Sequence, residues 1–493
     1  MMKAPPLSML AVAISAMAPL AGCSLAPDYK PPITLTPATY KESGPWEPAA
    51  PSDDLPRRDW WRGYGDETLD GLETRIDTEN PDLAASLARY DEARAYLGET
   101  SASLLPSVIA GGSATTNRQS DKRPLRSANQ PTEYGANTLD LQVGYELDLW
   151  GRVRNLVAAG QATAQARAAD SESVRLSLHA ELASDYMAIR GLDAELKLLA
   201  DTEGAYARAQ ALTQDRFEGK IASGIDVSRA ESQLQSARAL ASDDRAQRAL
   251  LEHAIASLVG ESASGFSLPA AIVNPPLPPV PTGIPAALLQ RRPDIAAAER
   301  RVAAANAAIG VARAAFYPDI TLNMLGGFQN TGSGFNLLAA SYSFWSIGPG
   351  FTMPIFEGGL RNAIEAQTFA TLREESENYR SIVLAAFQEV EDNLALLRDL
   401  GQEAAEEQAA TQAAERTASL SLTLYKDGAV SYLDVVVAQT EALEAERTLL
   451  NLNTRRLQAN IRLARAVGGG WSTADLPSRE VVDSTPETAK SDS

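Results

Sequence analysis

The stretch LDLQVGYELDL, residues 139–149, alternates without interruption. Leu139, Leu141, Val143, Tyr145, Leu147 and Leu149 are apolar, whereas Asp140, Gln142, Gly144, Glu146 and Asp148 are small, polar or acidic. A period of two places the apolar set on one face of a strand, and the length matches the roughly 9–11 residues that a tilted strand needs to cross a bilayer. Residues 319–330 carry Ile320, Leu322, Met324 and Phe328 on one face, and 342–355 carry Trp345, Ile347, Phe351, Met353 and Ile355. Residues 107–117 form a weaker fourth candidate. Proline cannot donate to a ladder, so a bulge or strand end is expected at Pro349 and Pro354. Four strands cannot close a membrane barrel, whose minimum is about eight, and an open edge in lipid leaves backbone groups unpaired at several kcal/mol each. If these strands lie in a membrane, the chain must oligomerise. Two, three or four copies all fit.

The 493 residues carry 44 Lys+Arg against 63 Asp+Glu, a net charge of −19. That balance argues against nucleic acid and against adhesion to anionic lipid. Alanine numbers 85, about 17%, well above an ordinary globular share and suited to closely packed helices. Two His and one Cys exclude a His/Cys metal cluster and a disulfide framework within one chain.

Residues 1–23 read MMKAPPLSMLAVAISAMAPLAGC. One cation at Lys3, an apolar run from Leu7 to Leu20 and small residues before Cys23 make a secretory signal peptide, too short to span a membrane comfortably. Leu20-Ala21-Gly22-Cys23 resembles the bacterial lipobox, whose cysteine becomes the acylated first residue. Each buried CH₂ contributes about 0.8 kcal/mol, so several acyl chains anchor firmly. Ser24 rather than Asp after the cysteine implies, in that lipoprotein class, passage to the outer membrane. No other window holds 18 consecutive apolar residues, so a crossing by this chain must use strands.

The chain also repeats itself. Asn80-Pro81-Asp82-Leu83 matches Arg292-Pro293-Asp294-Ile295 at an offset of 212, which holds through Pro106-Ser107-Val108 against Pro318-Asp319-Ile320. Ser223-x-x-Asp226-Val227 matches Ser431-x-x-Asp434-Val435 at an offset of 208. Two copies of about 200 residues indicate a duplicated half rather than a solenoid of many short units. Of 28 prolines, none falls between 132 and 268 or between 355 and 476. These Ala-, Leu-, Glu-, Gln- and Arg-rich stretches read as uninterrupted helix.

Within each half the order is helix, strand, strand, long helix, turn, helix. Long helices are expected at 152–217 and 359–425, each spanning roughly 100 Å at 1.5 Å per residue. Shorter ones are expected at 226–259, 434–467 and 285–316; two of these end to end equal one long helix. Leu443, Leu450, Leu457 and Ala464 recur every seven residues, a coiled-coil seam. The division expected is a signal peptide at 1–22, an extended lipid-anchored segment at 23–60, a first repeat at 61–266, a Pro-rich connector at 267–284, a second repeat at 285–471 and a polar disordered tail at 472–493.

At this point the text resembles a family. SLAPDYKPP (24–32) after the lipobox, RRPDI (291–295) with FYPDI (316–320), WSIGPGFTMPIFEGGLRN (345–362), LYKDGAVSYLDVVVAQ (424–439) and AVGGGW (466–471) resemble the TolC-like outer-membrane efflux channels, lipoprotein branch. The resemblance runs from Cys23 to Trp471. It implies a mixed α and β membrane protein, with four transmembrane strands per protomer completing a trimeric twelve-stranded β-barrel. The barrel would continue as a long α-helical coiled-coil tunnel in the periplasm. A homotrimer, outer-membrane lipid, a periplasmic membrane-fusion adaptor and an inner-membrane transporter are the partners implied. The function expected is a passive exit channel for small molecules such as drugs. A duct for type I polypeptide secretion and a lipid-anchored coiled-coil envelope protein are the alternatives.

No catalytic constellation competes with this reading. His179 and His253 sit in long helices without a paired nucleophile, and G-x-S-x-G, Walker A and G-x-G-x-x-G are all missing from the sequence. No enzyme activity and no cofactor are expected, apart from covalent lipid on Cys23. Asp140, Glu146 and Asp148 should face the barrel lumen. The turns at 217–227 and 425–435 fall at the far end of the helices, where the resemblance makes Gly219, Ser223, Gly428 and Ser431 candidates for adaptor contact. The first turn departs from the second, its glycine standing one place earlier than the position facing Gly428. Asp434 and Asp226 are gate candidates, because symmetry would gather their carboxylates near one axis. Each Ser-x-x-Asp also fits a capping box, and both roles are open.

Cys23→Ser is expected to abolish incorporation of labelled fatty acid. Normal labelling of that variant would remove the lipoprotein reading.

Overall fold

The computed structural model describes residues 24–33, 36–42, 59–124, 127, 129–280, 285–332 and 337–483. Cys23 and the signal peptide lie outside them. The elements run α1 (Glu67–Glu79), α2 (Pro81–Ala102), β1 (Ser107–Arg118), β2 (Glu133–Glu146), α3 (Arg152–Glu218) and α4 (Gly224–Leu258), then α5 (Pro293–Ala314), β3 (Asp319–Asn330), β4 (Ser343–Thr352), α6 (Leu360–Lys426) and α7 (Tyr432–Ala466). The main helices of the halves agree in length: α2 and α5 have 22 residues each, α3 and α6 have 67, and α4 and α7 have 35, whereas β2 has 14 residues and β4 has 10. At 1.5 Å per residue, α3 and α6 are each about 100 Å long. Alanine makes their close packing possible; Ala164, Ala169, Ala297 and Ala386 are fully buried between helices.

The helix expected over 285–316 is interrupted. A short helical turn at Leu288–Arg291 ends at Arg292, whose backbone is extended before α5 starts on Pro293. Proline disfavours helical backbone at the residue before it and is tolerated in the first turn after it. Asn80 and Pro81 make the same break between α1 and α2, with the Asn80 side chain accepting from Leu83 N–H at 2.9 Å.

The four strands form one antiparallel sheet in the order β1-β2-β3-β4. Its register brings Val108, Val143, Met324 and Ile347 into one row, and Ala110, Leu141, Gly326 and Trp345 into the next. The alternate rows read Ile109, Gln142, Leu325 and Ser346, then Gly111, Asp140, Gly327 and Phe344. The sheet therefore has one strongly apolar face, and within the protomer that face is uncovered: Trp345 is 78% and Phe351 80% exposed.

Two expectations about the strands need correction. β2 starts six residues before Leu139 and stops at Glu146, leaving Leu147, Asp148 and Leu149 outside it. Pro349 causes no break; it pairs opposite Leu322 within β4. β4 is an edge strand, so the missing donor can face away from the ladder. At Pro354 the expected strand end is found, since β4 stops at Thr352. Nor is the tail after Trp471 free as far as Asp483. Val482 is buried with Ala93, Leu97 and Val157, and Gln161 donates to Asp483 at 3.0 Å. A single apolar side chain finds the cleft between α2 and α3, which polarity alone did not foretell. Residues 484–493 lie outside the described ones.

Two extended segments bind the halves together. Ser24 donates to Asn155 one turn into α3 at 2.9 Å, and Asn306 donates to the Pro27 carbonyl at 2.8 Å. Farther along, the N–H groups of Lys41 and Glu42 donate to Glu391, at 2.7 and 2.9 Å. The strap passes Gly310, where a Cβ would collide with Asn155 and Ala26. The connector runs without helix or strand from Ser267 to Val280 and is held by a buried ionic cluster. Asp193 accepts from Arg248 at 2.7 Å, Arg190 at 2.9 Å and Ala271 N–H at 3.0 Å. Arg190 also donates to the Pro269 carbonyl and Arg248 to the Leu268 carbonyl.

His179 is a packed residue. It is buried against Trp61, with rings 4.4 Å apart, and Nδ1 lies 2.6 Å from Glu73. Burial pushes the Glu73 carboxyl well up and the imidazole down, the latter opposed by Asp77 on Nε2 at 3.4 Å.

The Asp193 cluster generates a stability test. Asp193→Ala leaves two guanidinium groups without their shared acceptor, with Arg190 only 5% exposed. Breaking a buried pair by removing one partner costs about 3–5 kcal/mol. A lowered thermal midpoint and proteolysis within 267–280 are the expected readouts.

Candidate functional site

The functional candidates fall at the two ends of the long helices. At one end, chain leaving β2 must turn into α3. Asp148 performs that turn: its carboxylate accepts from the N–H groups of Val153 at 3.1 Å and Arg154 at 2.9 Å, and from the Arg154 guanidinium at 3.0 Å. A carboxylate there satisfies orphan amides and suits the positive end of the helix. Glu146, the last residue of β2, accepts from Arg152 Nε at 2.8 Å and meets its second nitrogen as well. Of the three acids expected in the lumen, only Asp140 and Glu146 are strand residues. Asp148 is a helix cap, and Asp140 accepts from Gln142 at 2.9 Å.

At the other end lie the turns between α3 and α4 and between α6 and α7. Ser223 and Asp226 close a full capping box: the Asp226 carboxylate accepts from Ser223 N–H and Oγ, both at 3.1 Å, and Asp226 N–H donates to Ser223 Oγ at 3.3 Å. Asp434 accepts from Ser431 N–H at 2.9 Å and Oγ at 2.7 Å. These bonds hold its carboxyl below the usual range, so it stays ionised throughout the neutral range. The sign is that of a depressed acid: the cap's contribution is complete above the ordinary carboxylate pKa and is lost as pH falls through the lower folded value. Both acids therefore cap helices. Capping uses one oxygen of Asp434, which is exposed.

The structure adds two residues that the sequence reading missed. Arg216 donates to the Tyr425 carbonyl at 2.8 Å and lies over the Tyr425 ring at 4.6 Å, tying one turn to the other. Its repeat counterpart at the 208 offset is Leu424, and that unmatched charge was the available signal. Tyr425 and Tyr432 pack edge to face at 5.2 Å over Ala209 and Ala230, so the two turns share one small core. Lys220 is the second. It adopts φ +61°, the left-handed conformation that Gly428 takes at φ +79° in the other turn. Gly219, by contrast, has ordinary right-handed backbone. The offset glycine was the visible sign of this.

Among the described residues, no group of three or more His, Cys, Asp or Glu could hold a metal ion, and no helix is long and apolar enough to cross a membrane.

Comparison with known proteins agrees with this geometry. The family model described as outer membrane efflux protein matches twice, over residues 75–261 and 284–469. The toluene efflux pump outer membrane protein TtgC of Pseudomonas putida is 30% identical, over 94% of this chain and 96% of that protein. The cation efflux system protein CusC of Escherichia coli is also 30% identical, over 92% and 96%. Among solved structures, the outer-membrane channel OprN superposes with a TM-score of 0.84 at 27% identity, covering 91% of this chain and all of that one. VceC of Vibrio cholerae gives 0.78 at 26%, covering 85% and 100%. A sheet with one apolar face, helices about 100 Å long and matches along nearly the whole chain lead to one conclusion: the chain belongs to the outer membrane efflux protein family.

Proposed function

We propose that three copies of this chain close a twelve-stranded barrel in the outer membrane, prolonged by the long helices into a conduit that serves as the passive exit channel of a tripartite efflux pump. The carrying observation is the register. Four strands per protomer align their apolar residues in continuous rows, and the rows stay uncovered within the protomer. Among the described residues nothing pairs with the outer edges of β1 and β4, which suits head-to-tail pairing with further copies. Three is the number that the family resemblance implies.

The apolar rows would meet lipid, and Asp140 and Glu146 would lie on the lumen side. Cys23 would carry lipid close to Asn155, because Ser24 is bonded there. Gly219, Ser223, Gly428 and Ser431 would meet a periplasmic adaptor, and an inner-membrane transporter would supply the energy. TtgC is named for toluene and CusC for cations. Cargoes this different fit a channel that does not select, with choice left to the pump. Asp434, exposed and ionised, would form a ring of three carboxylates at the narrow end. Asp226 would contribute less, its second oxygen facing Arg229 at 3.7 Å.

Two experiments test this reading. A charge at Val143 should weaken insertion by about 2–4 kcal/mol near the bilayer midplane, whereas a charge at Gln142 should be tolerated. Equal tolerance in a folding assay into vesicles would mean that β2 is not a membrane strand. For the gate, Asp434→Ala should give larger or more frequent openings and weaker cation selectivity in planar bilayers. A lower thermal midpoint with conductance and selectivity unchanged would leave Asp434 with capping alone.

A further inference from the structure

The two turns at the far end of the helices are built alike but are not chemically alike. In the second, the residue in the left-handed region is Gly428, which adopts that conformation at no steric cost. In the first it is Lys220, at φ +61° and the one non-glycine residue with positive φ among those described. A side chain there places Cβ close to the neighbouring carbonyl, and residues kept in such conformations concentrate at functional sites. Glycine at 220 would remove the strain, and position 428 shows that glycine makes this turn. The turn does not need lysine.

Nor does the protomer use the lysine's charge. Lys220 is exposed and enters no ion pair among the described residues. Glu218, its nearest acid in sequence, accepts from Gln214 at 2.9 Å, and the Asp226 carboxylate is occupied by Ser223. The same turn exposes three apolar side chains that a solvated turn would not favour: Phe217 is 45%, Ile221 70% and Ile225 64% exposed. An unpaired cation on the same turn as exposed apolar groups is the composition of a contact surface, with a hydrophobic patch for burial and a charge for selecting the partner.

We propose that Lys220, held in a strained backbone on the α3–α4 turn, is a specificity residue that selects a periplasmic partner presenting carboxylates, with Phe217, Ile221 and Ile225 as the apolar contact beside it. The proposal rests on the adaptor docking put forward above and refines it. The α3–α4 turn makes the charge-selective contact; in the α6–α7 turn the left-handed position is Gly428, and its lysine, Lys426, ends the helix beside Asp427. Arg216 joins the two turns through the Tyr425 carbonyl, so a partner seated on the first also bears on the second.

The test uses the full-length channel in detergent or nanodiscs and, as probe, the purified adaptor that restores export when co-produced with it. Lys220→Gly should raise the thermal midpoint or leave it unchanged, and it should leave the single-channel conductance as it was. Its association rate with the adaptor should fall by about three- to tenfold at low salt, a difference that closes at roughly 0.5 M salt as a steering charge requires. Lys220→Glu should lower the rate further, and Lys220→Arg should retain most of it. Unchanged association for both Lys220→Gly and Lys220→Glu, with a stable channel, would overturn the role of Lys220. Ile221→Asp and Leu433→Asp test the underlying docking. If neither weakens binding, the adaptor does not seat on the turns, and the docking reading fails together with the specificity that depends on it. Weakened binding in these two alongside an indifferent Lys220 would remove only the specificity.

Discussion

Among the described residues, the outer edges of β1 and β4 have no ladder partner, because the sheet order places each of them beside only one neighbour. Backbone amides and carbonyls demand partners wherever water is excluded. The apolar rows of the same sheet make water exclusion the favourable outcome. The proposed closure with further copies answers both requirements at once. The helices meet the complementary requirement: their amide groups are bonded internally, so they can extend about 100 Å into water without further partners.

Where strand gives way to helix, unpaired groups accumulate again, and charge resolves them. Asp148 supplies acceptors to the first amides of α3, and Glu146 holds the arginine that begins that helix. At the opposite end, serine and aspartate do the same for α4 and α7. A carboxylate engaged by N–H and O–H donors is already positioned and ionised. The same aspartate can therefore cap a helix and present charge to a passage, and the two roles need not compete.

The extended segments add ties between helical hairpins that also pack on one another directly. The N-terminal strap crosses from Asn155 on α3 to Glu391 on α6, and the connector is fastened to α3 and α4 by Asp193. Buried ion pairs of this kind seldom add net stability over apolar packing, but they are costly to leave half made. The Asp193 cluster thus fixes where the connector lies, which an alternative set of apolar contacts would define less sharply.

Much of this protein was legible in its residues. Period-two alternation over 139–146, the heptad spacing of Leu443 to Ala464 and the proline-free stretches are local patterns, and backbone geometry converts each directly into an element. The repeat was visible because equal text at a constant offset needs no structure to detect. The ends of elements were less legible. Asp148 continued the alternation on paper, yet it caps α3, since helix amides competed for its carboxylate and won. Pro349 leaves the ladder within the protomer intact because β4 lies at the edge of that four-stranded sheet, a fact about neighbours and not about local sequence. Val482 is ordered because a cleft between α2 and α3 accepts it, and Arg216 reaches Tyr425 across 209 residues of sequence. Sequence by itself determined the elements, their order and the family, because these depend on periodicity and short-range sterics. Only the tertiary structure decided which charges are consumed as caps, which side chains link the turns and which residue carries the strained backbone at position 220. Those outcomes depend on distances between residues remote in the chain.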